Sequence, residues 1–203
     1  NFMLIINTLV RENIYIFKLS GRIKDKFTIL IIGGSQSASI FDMNLKNSIV
    51  NISKKKPIKV IQQTNKENIS YLRDFYLKND IENKIFNFEN NFENIFKDTD
   101  LCITRSGAST LAELSVINIP FIAVPLPTSK DNHQLENANF YKENDCCWVI
   151  DQTNFEKKIE HLLSKILNEK IDYLKKKENL KKLNYQNTWI NVNQKILEII
   201  NEN

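Results

Sequence analysis

The groups best suited to chemistry lie in one short stretch, residues 104–113, which reads TRSGASTLAE and combines a glycine, hydroxyls and a carboxylate. Apolar segments at 100–103 and 121–124 flank it and are typical of short buried strands. The stretch is therefore predicted to be a strand end, a glycine turn and the start of a helix. Because the first N–H groups of a helix lack internal partners and carry the positive end of its dipole, this turn predicts an anion site.

The side chains of this stretch indicate which anion would bind. Ser106, Ser109 and Thr110 supply hydroxyls that could donate hydrogen bonds to phosphate oxygens. Glu113 lies one turn into the predicted helix, where its carboxylate could accept hydrogen bonds from two neighbouring ribose hydroxyls. The pattern favours a nucleotide site, although turns of this composition also occur for purely structural reasons.

A second glycine loop follows the strongest strand candidate, Phe27–Ile32. Gly33 and Gly34 come directly after that strand, and the chain contains only four glycines, so two similar loops hold three of them. Glycine lets the backbone approach a ligand closely, and Ser35 and Gln36 could contact a pyrophosphate. Two such loops together make a nucleotide site more plausible than either loop alone.

Three motifs in register, at residues 32–38, 104–113 and 131–138, resemble the carboxy-terminal half of the MurG family. That family comprises the N-acetylglucosaminyltransferases that convert lipid I to lipid II in peptidoglycan synthesis. The resemblance runs from about Arg11 to about Ile150 with matching order and spacing. It implies the donor-binding half of a two-domain GT-B glycosyltransferase.

The resemblance also implies a role for individual residues. It places the donor pyrophosphate near Ser35 and the turn at 107–110, the ribose on Glu113 and the sugar near Gln134, and the backbone near Glu89 would read the uracil. The substrate-binding residues that it implies are Arg11, Ser35, Gln36, Glu89, Ser106, Gly107, Ala108, Ser109, Thr110, Leu111, Ala112, Glu113, His133 and Gln134.

Catalytic residues are not expected in this chain, because the family's proposed base lies in the amino-terminal domain. His133 is the alternative base, since a histidine in a pocket loop titrates in a suitable range. One departure from the family is Ser37, which stands where the family usually has glycine.

Alternating strand and helix patterns predict an α/β fold, a Rossmann-like parallel sheet with helices on both faces. Together with the resemblance, they indicate the carboxy-terminal domain of a GT-B glycosyltransferase. Residues 1–22 are expected to be an interdomain linker, 23–168 the UDP-GlcNAc-binding domain, and 169–203 carboxy-terminal helices. The last helix, over 189–200, would cross to an amino-terminal domain. Because the chain starts without methionine, it is expected to be a fragment.

Several functional classes are disfavoured by the sequence. Gln62 and Gln63 end the second predicted strand where a nicotinamide enzyme carries an acidic residue for its ribose. The three cysteines have no zinc spacing, and no Asp-x-Asp motif or histidine cluster occurs, so neither metal nor cofactor is expected. The net charge of +4 comes from dispersed lysines, which argues against nucleic-acid binding. Phe92 and Phe96 are expected to be core residues.

The expected function is inverting transfer of GlcNAc from UDP-GlcNAc to lipid I, giving lipid II. The donor would bind this chain, and lipid I would bind mainly the amino-terminal domain. The resemblance implies peripheral association with the cytoplasmic face of the plasma membrane. Two alternatives are a donor-binding subunit of a split dolichol-linked GlcNAc transferase and a UDP-sugar protein that is not a transferase, either a non-catalytic module or an epimerase.

Overall fold

The structure, a computed structural model, describes residues 26–33, 38–183 and 197. Several sequence predictions lie outside these residues. They concern the linker over 1–22 with Arg11, the loop residues Ser35 and Gln36, and the last helix over 189–200.

The described residues form a six-stranded parallel sheet in the order β3-β2-β1-β4-β5-β6. The inner strands are almost continuously buried because helices cover both faces, which explains their uninterrupted Ile, Leu and Val runs. The strands are β1 (Phe27–Ile32), β2 (Ile58–Gln63), β3 (Glu82–Phe86), β4 (Leu101–Thr104), β5 (Phe121–Ala123) and β6 (Cys147–Val149). This arrangement confirms the predicted α/β fold with a Rossmann-like sheet.

Helices connect the strands and continue after the last one. In the described part of the chain they are α1 (Ala38–Asn44), α2 (Lys46–Ser53), α3 (Ile69–Leu77), α4 (Phe92–Asp98), α5 (Ala108–Val116), α6 (His133–Glu143), α7 (Phe155–Asn168) and α8 (Lys170–Lys182). Helix α5 ends at Val116, and Asn118, just beyond it, adopts the left-handed conformation with φ 60° that turns the chain toward β5.

Two apolar cores lie on opposite faces of the sheet. Helices α1, α2, α3 and α7 pack on one face, where Phe41 meets Phe155 edge to face at 5.5 Å. Helices α4, α5 and α6 pack on the other face, where Phe121 meets Tyr141 at 5.3 Å. The direction in which the chain crosses the sheet reverses between β1 and β4. Ligands of doubly wound sheets bind at that point, at the carboxyl ends of the strands.

A buried polar network ties α1 to β2 and α3. The Asp42 carboxylate is 3% exposed and accepts hydrogen bonds from Gln62 Nε2 at 2.8 Å, Thr64 Oγ1 at 2.6 Å and Asn68 Nδ2 at 2.9 Å. The Tyr76 hydroxyl donates a hydrogen bond to Gln62 Oε1 at 2.8 Å. Burial, helped by the Asp42 charge, raises the pKa of Tyr76 well above its ordinary value, so the hydroxyl stays a donor. Gln62 therefore has a structural role at the position where a nicotinamide enzyme would carry an acid.

Helix α8 is anchored by a buried lysine. Lys176 is 5% exposed and lies 2.6 Å from Asp145 Oδ1 and 3.5 Å from Asp172 Oδ1. Its ammonium group also lies 5.1 Å from the centre of the Trp148 ring. Lys175 contacts the same Asp145 carboxylate at 2.8 Å. The turn before β6 is thereby tied to α8.

Asp145→Asn is expected to destabilise the fold by about 1 kcal/mol near pH 7, since it removes the charge that pairs with Lys176. Hydrogen bonds from Lys175 and then Lys176 lower the pKa of Asp145. The stabilisation is therefore present above the unfolded-state pKa and is lost as pH falls through the folded-state pKa. Urea denaturation of both proteins from pH 7 to pH 3 should show a difference that shrinks below about pH 4. A difference that stays constant over this range would contradict the ion pair.

Candidate functional site

A cavity of about 560 Å³ opens at the carboxyl ends of β1 and β4, where the crossover direction reverses. Residues from the ends of β1, β2 and β4 surround it, together with side chains of α4, α5 and α6. The lining residues are Ile32, Gly33, Gln63, Phe92, Phe96, Thr104, Arg105, Gly107, Ser109, Thr110, Glu113 and Gln134.

The amino-terminal end of α5 faces this cavity. Gly107 precedes the helix in an extended conformation, with φ −67° and ψ 131°. The first helical hydrogen bond runs from Leu111 N to Gly107 O at 3.1 Å, so the N–H groups of Ala108, Ser109 and Thr110 have no acceptor within the helix. These groups, the positive end of the helix dipole and the hydroxyls of Ser109 and Thr110 lie together at the turn where the sequence predicts an anion site.

Two amide side chains of α6, Gln134 and Asn137, bind the backbone of Ser106, the residue before Gly107. Gln134 Oε1 accepts hydrogen bonds from Ser106 N at 3.2 Å and from Leu126 N at 3.0 Å. Asn137 Nδ2 donates to Ser106 O at 2.9 Å. The turn before α5 and the loop after β5 are therefore fixed to the same helix. Within the described residues, Gln134 Nε2 makes no hydrogen bond and remains available as a donor.

Ser106 and Glu113 are the most buried polar groups of the predicted set. Ser106 is fully buried, and its hydroxyl has no hydrogen-bond partner among the residues that the structure describes. Glu113 is 7% exposed and lines the cavity from the second turn of α5. A buried hydroxyl that lacks a partner is uncommon in folded proteins and calls for an explanation, such as an ordered water or a neighbouring group.

The structure brings part of the predicted set together. Gly107, Ser109, Thr110, Glu113 and Gln134 all line the cavity, with Ser106 buried next to it and Ala108 at the helix start. The side chains of Leu111 and Ala112 instead point into the apolar core and are fully buried. These two residues could therefore contact a ligand in the cavity only through their backbone. The Leu111 N–H group already donates a hydrogen bond to Gly107 O.

His133 and Glu89 also lie outside the cavity lining. His133 is exposed at the start of α6, and its Nδ1 lies 2.7 Å from Lys130 O. Glu89 forms an ion pair with Lys84 at 2.8 Å and accepts a hydrogen bond from Asn91 N at 3.2 Å. The hydrogen bond from Lys84 lowers the pKa of Glu89.

Other lining residues were not assigned to the site from the sequence. Gln63 ends β2 beside β1, and the position of a strand end could have indicated it. Phe96 is 1% exposed, as expected of a core residue, yet it also borders the cavity. Phe92 is half-buried between the cavity and Phe86, whose ring centre is 6.1 Å away. The four-residue spacing of Phe92 and Phe96 is typical of core residues, so it did not indicate that their rings border the cavity.

The described residues contain neither a metal-binding cluster of side chains nor a membrane-spanning helix. Within 26–33 and 38–183, no group of three or more His, Cys, Asp and Glu side chains is placed to hold a metal ion. In the same part of the chain, no helix has the length and apolar character needed to span a bilayer.

Fold and cavity together define a doubly wound α/β domain with a glycine turn and a helix start at its switch point. Residues 28–188 match the model of the glycosyltransferase family 28 C-terminal domain, and the chain belongs to this family. The predicted resemblance is thereby confirmed.

Similar curated sequences carry one name, UDP-N-acetylglucosamine--N-acetylmuramyl-(pentapeptide) pyrophosphoryl-undecaprenol N-acetylglucosamine transferase. The protein of this name from Pelagibacter ubique is 45% identical over 206 residues, covering 100% of this chain and 57% of the relative. The protein from Rickettsia canadensis is 37% identical over 178 residues, covering 84% of this chain and 50% of the relative. The chain thus spans about half the length of the curated relatives it matches.

Solved structures share the fold. MurG of Acinetobacter baumannii superposes with a TM-score of 0.75 at 20% identity, covering 90% of this chain and 51% of that protein. UDP-GlcNAc 2-epimerase of Neisseria meningitidis, solved bound to UDP-GlcNAc, gives a TM-score of 0.60 at 13% identity, covering 89% of this chain and 46% of that protein. At these identities the likeness extends to the fold alone.

Proposed function

We propose that this chain is the donor-binding part of an enzyme that transfers GlcNAc from UDP-GlcNAc to lipid I, giving lipid II in peptidoglycan synthesis. The observation that carries the proposal is the convergence of the α5 turn, Glu113 and Gln134 on one cavity at the switch point. Family membership supports the reaction class, and the names of the relatives support the donor and the acceptor.

The cavity offers suitable partners for the diphosphate, the ribose and the sugar of the donor. The diphosphate would accept hydrogen bonds from the α5 N–H groups and from the hydroxyls of Ser109 and Thr110. Glu113 would accept hydrogen bonds from ribose hydroxyls, and Gln134 Nε2 would donate to a sugar hydroxyl.

This arrangement suits an inverting displacement. The acceptor hydroxyl attacks the anomeric carbon of GlcNAc, the bond from that carbon to the diphosphate oxygen breaks, and UDP leaves. Negative charge develops on the leaving diphosphate, and the α5 dipole with its N–H groups would stabilise it. The general base would come from the amino-terminal domain, as the family resemblance implies, with the protein working peripherally at the cytoplasmic face of the plasma membrane.

Calorimetric titration of the 203-residue chain tests this function. UDP-GlcNAc and UDP should bind at one shared site and compete with each other, whereas NAD should not compete. Failure of both uridine ligands to bind at millimolar concentration would contradict the proposal, and so would equal competition by NAD.

Gln134→Ala is expected to weaken UDP-GlcNAc binding about tenfold and UDP binding much less, since one hydrogen bond to the sugar is lost. Some loss for both ligands is expected as well, because Gln134 Oε1 also holds Ser106 N and Leu126 N. The measurement is the ratio of the two dissociation constants by calorimetry.

The matched control for this variant is Glu136→Gln, which alters an exposed side chain on the same helix. The control should leave both affinities unchanged. If Gln134→Ala weakens the two ligands equally, Gln134 acts only by holding the loops and does not face the sugar.

A further inference from the structure

Arg105 has an unusual environment beside the donor cavity. It is 7% exposed and lines the cavity next to the turn that starts α5. Charged side chains are rarely buried this completely unless an opposite charge accompanies them. Within the described residues, no carboxylate lies at ion-pair distance from its guanidinium group.

The hydrogen-bond acceptors around Arg105 are all neutral. Nη1 donates to Val124 O at 3.0 Å and to Pro125 O at 3.3 Å, and Nη2 donates to Gln152 Oε1 at 2.7 Å. Nε has no partner among the described residues. The guanidinium carbon also lies 5.5 Å from the centre of the Phe41 ring. These contacts fix the group in place without cancelling its charge.

The guanidinium group of Arg105 stays charged despite its burial. Desolvation lowers the pKa of Arg105, but an arginine side chain remains protonated in proteins. Its field also acts over a longer range than it would at the surface, because buried charges are poorly screened. A net positive charge is thus held at the edge of a cavity whose other polar groups suit a diphosphate.

We propose that the buried charge of Arg105, which no carboxylate of the described residues compensates, makes this cavity selective for diphosphate ligands over uncharged nucleosides. This inference rests on the proposed function, because the ligand is the UDP part of the donor. The positive charge of Arg105 attracts the diphosphate electrostatically. Its hydrogen bonds to Val124 and Pro125 keep the loop after β5 in place.

A purely structural role makes a different prediction. If Arg105 only tied the loops, its loss would loosen the cavity and weaken every ligand by a similar factor. Lysine would then be as damaging as an uncharged residue, because an ammonium group cannot reproduce the planar fork that reaches Val124, Pro125 and Gln152 together. The charge role predicts that lysine preserves the selectivity for UDP over uridine and that an uncharged residue reduces it.

The experiment compares the wild-type chain, Arg105→Lys and Arg105→Met by calorimetry with uridine, UMP and UDP. Arg105→Met should weaken UDP about tenfold more than uridine, with UMP intermediate, whereas Arg105→Lys should keep most of the preference for UDP. Equal losses for all three ligands, or equal selectivity in the two variants, would overturn the inference. Wild-type chain that does not bind UDP would overturn the proposed function itself, which is a separate result.

A second measurement needs no variant and can overturn the inference even if Arg105→Met does not fold. The preference of the wild-type chain for UDP over uridine is measured from 0.05 to 1 M salt, a range over which the screening length falls to about 3 Å. A buried charge should keep most of this preference at high salt. Loss of the preference at 1 M salt would show that surface lysines provide it and would overturn the role of Arg105.

Discussion

Replacing Glu113 with alanine is expected to weaken UDP binding by at least about 1.5 kcal/mol, because hydrogen bonds to a charged group are stronger than neutral ones. Glu113 lines the cavity with 7% of its surface exposed, so water competes little with a ribose for its oxygens. Calorimetry with UDP measures the effect, and thermal denaturation without ligand reports any loss of folding stability.

Two further variants sharpen this test. Glu113→Gln keeps the shape of the side chain and removes its charge, so it should lose much of the same affinity. Glu136→Gln alters an exposed carboxylate on α6 and should change nothing. Unaltered UDP affinity in Glu113→Ala would remove Glu113 from the site.

The largest expected effect on stability comes from Asp42. Replacing it with alanine should lower the free energy of unfolding by about 3 kcal/mol, because two buried donors and one half-buried donor lose their acceptor at once. Those donors belong to Gln62, Thr64 and Asn68, and Gln62 also binds the Tyr76 hydroxyl. Urea denaturation gives the value.

Asp74→Ala is the matched control, since Asp74 is an exposed aspartate on α3, the helix that this network helps to hold. It should change stability by less than about 0.5 kcal/mol. A loss in Asp42→Ala no greater than that of the control would show that the network contributes little to the fold.

The fold was largely predictable because its signals are local. Strands β1 and β4 are short, mainly apolar runs between polar segments, and β1 was predicted with its observed bounds, Phe27–Ile32. The helical spacing of Ile40, Leu45, Ile49 and Ile52 predicts one helix over 39–52, whereas the chain forms α1 and α2 with a break at Leu45. Helical spacing of apolar residues continues across such a break, so the sequence pattern does not reveal it.

The site was predictable where backbone geometry creates it and less so where side chains must converge. The turn before α5 follows from one glycine between a strand and a helix, and the structure places its residues at the cavity. Arg105 gave no signal, because its environment depends on Phe41, Val124 and Gln152, which are distant in sequence. Leu111 and Ala112 lie on the core side of α5, and membership of the motif does not show which side a residue faces.

The central claim is that the α5 turn holds the diphosphate of UDP-GlcNAc, and amide NMR of the labelled chain tests it most directly. On titration with UDP-GlcNAc or UDP, the amide signals of Ala108, Ser109 and Thr110 should be among those that shift most. Uridine, which has no phosphate, should leave these three signals nearly in place. Saturable binding of UDP-GlcNAc that leaves the three amides unmoved and shifts signals elsewhere would contradict the account.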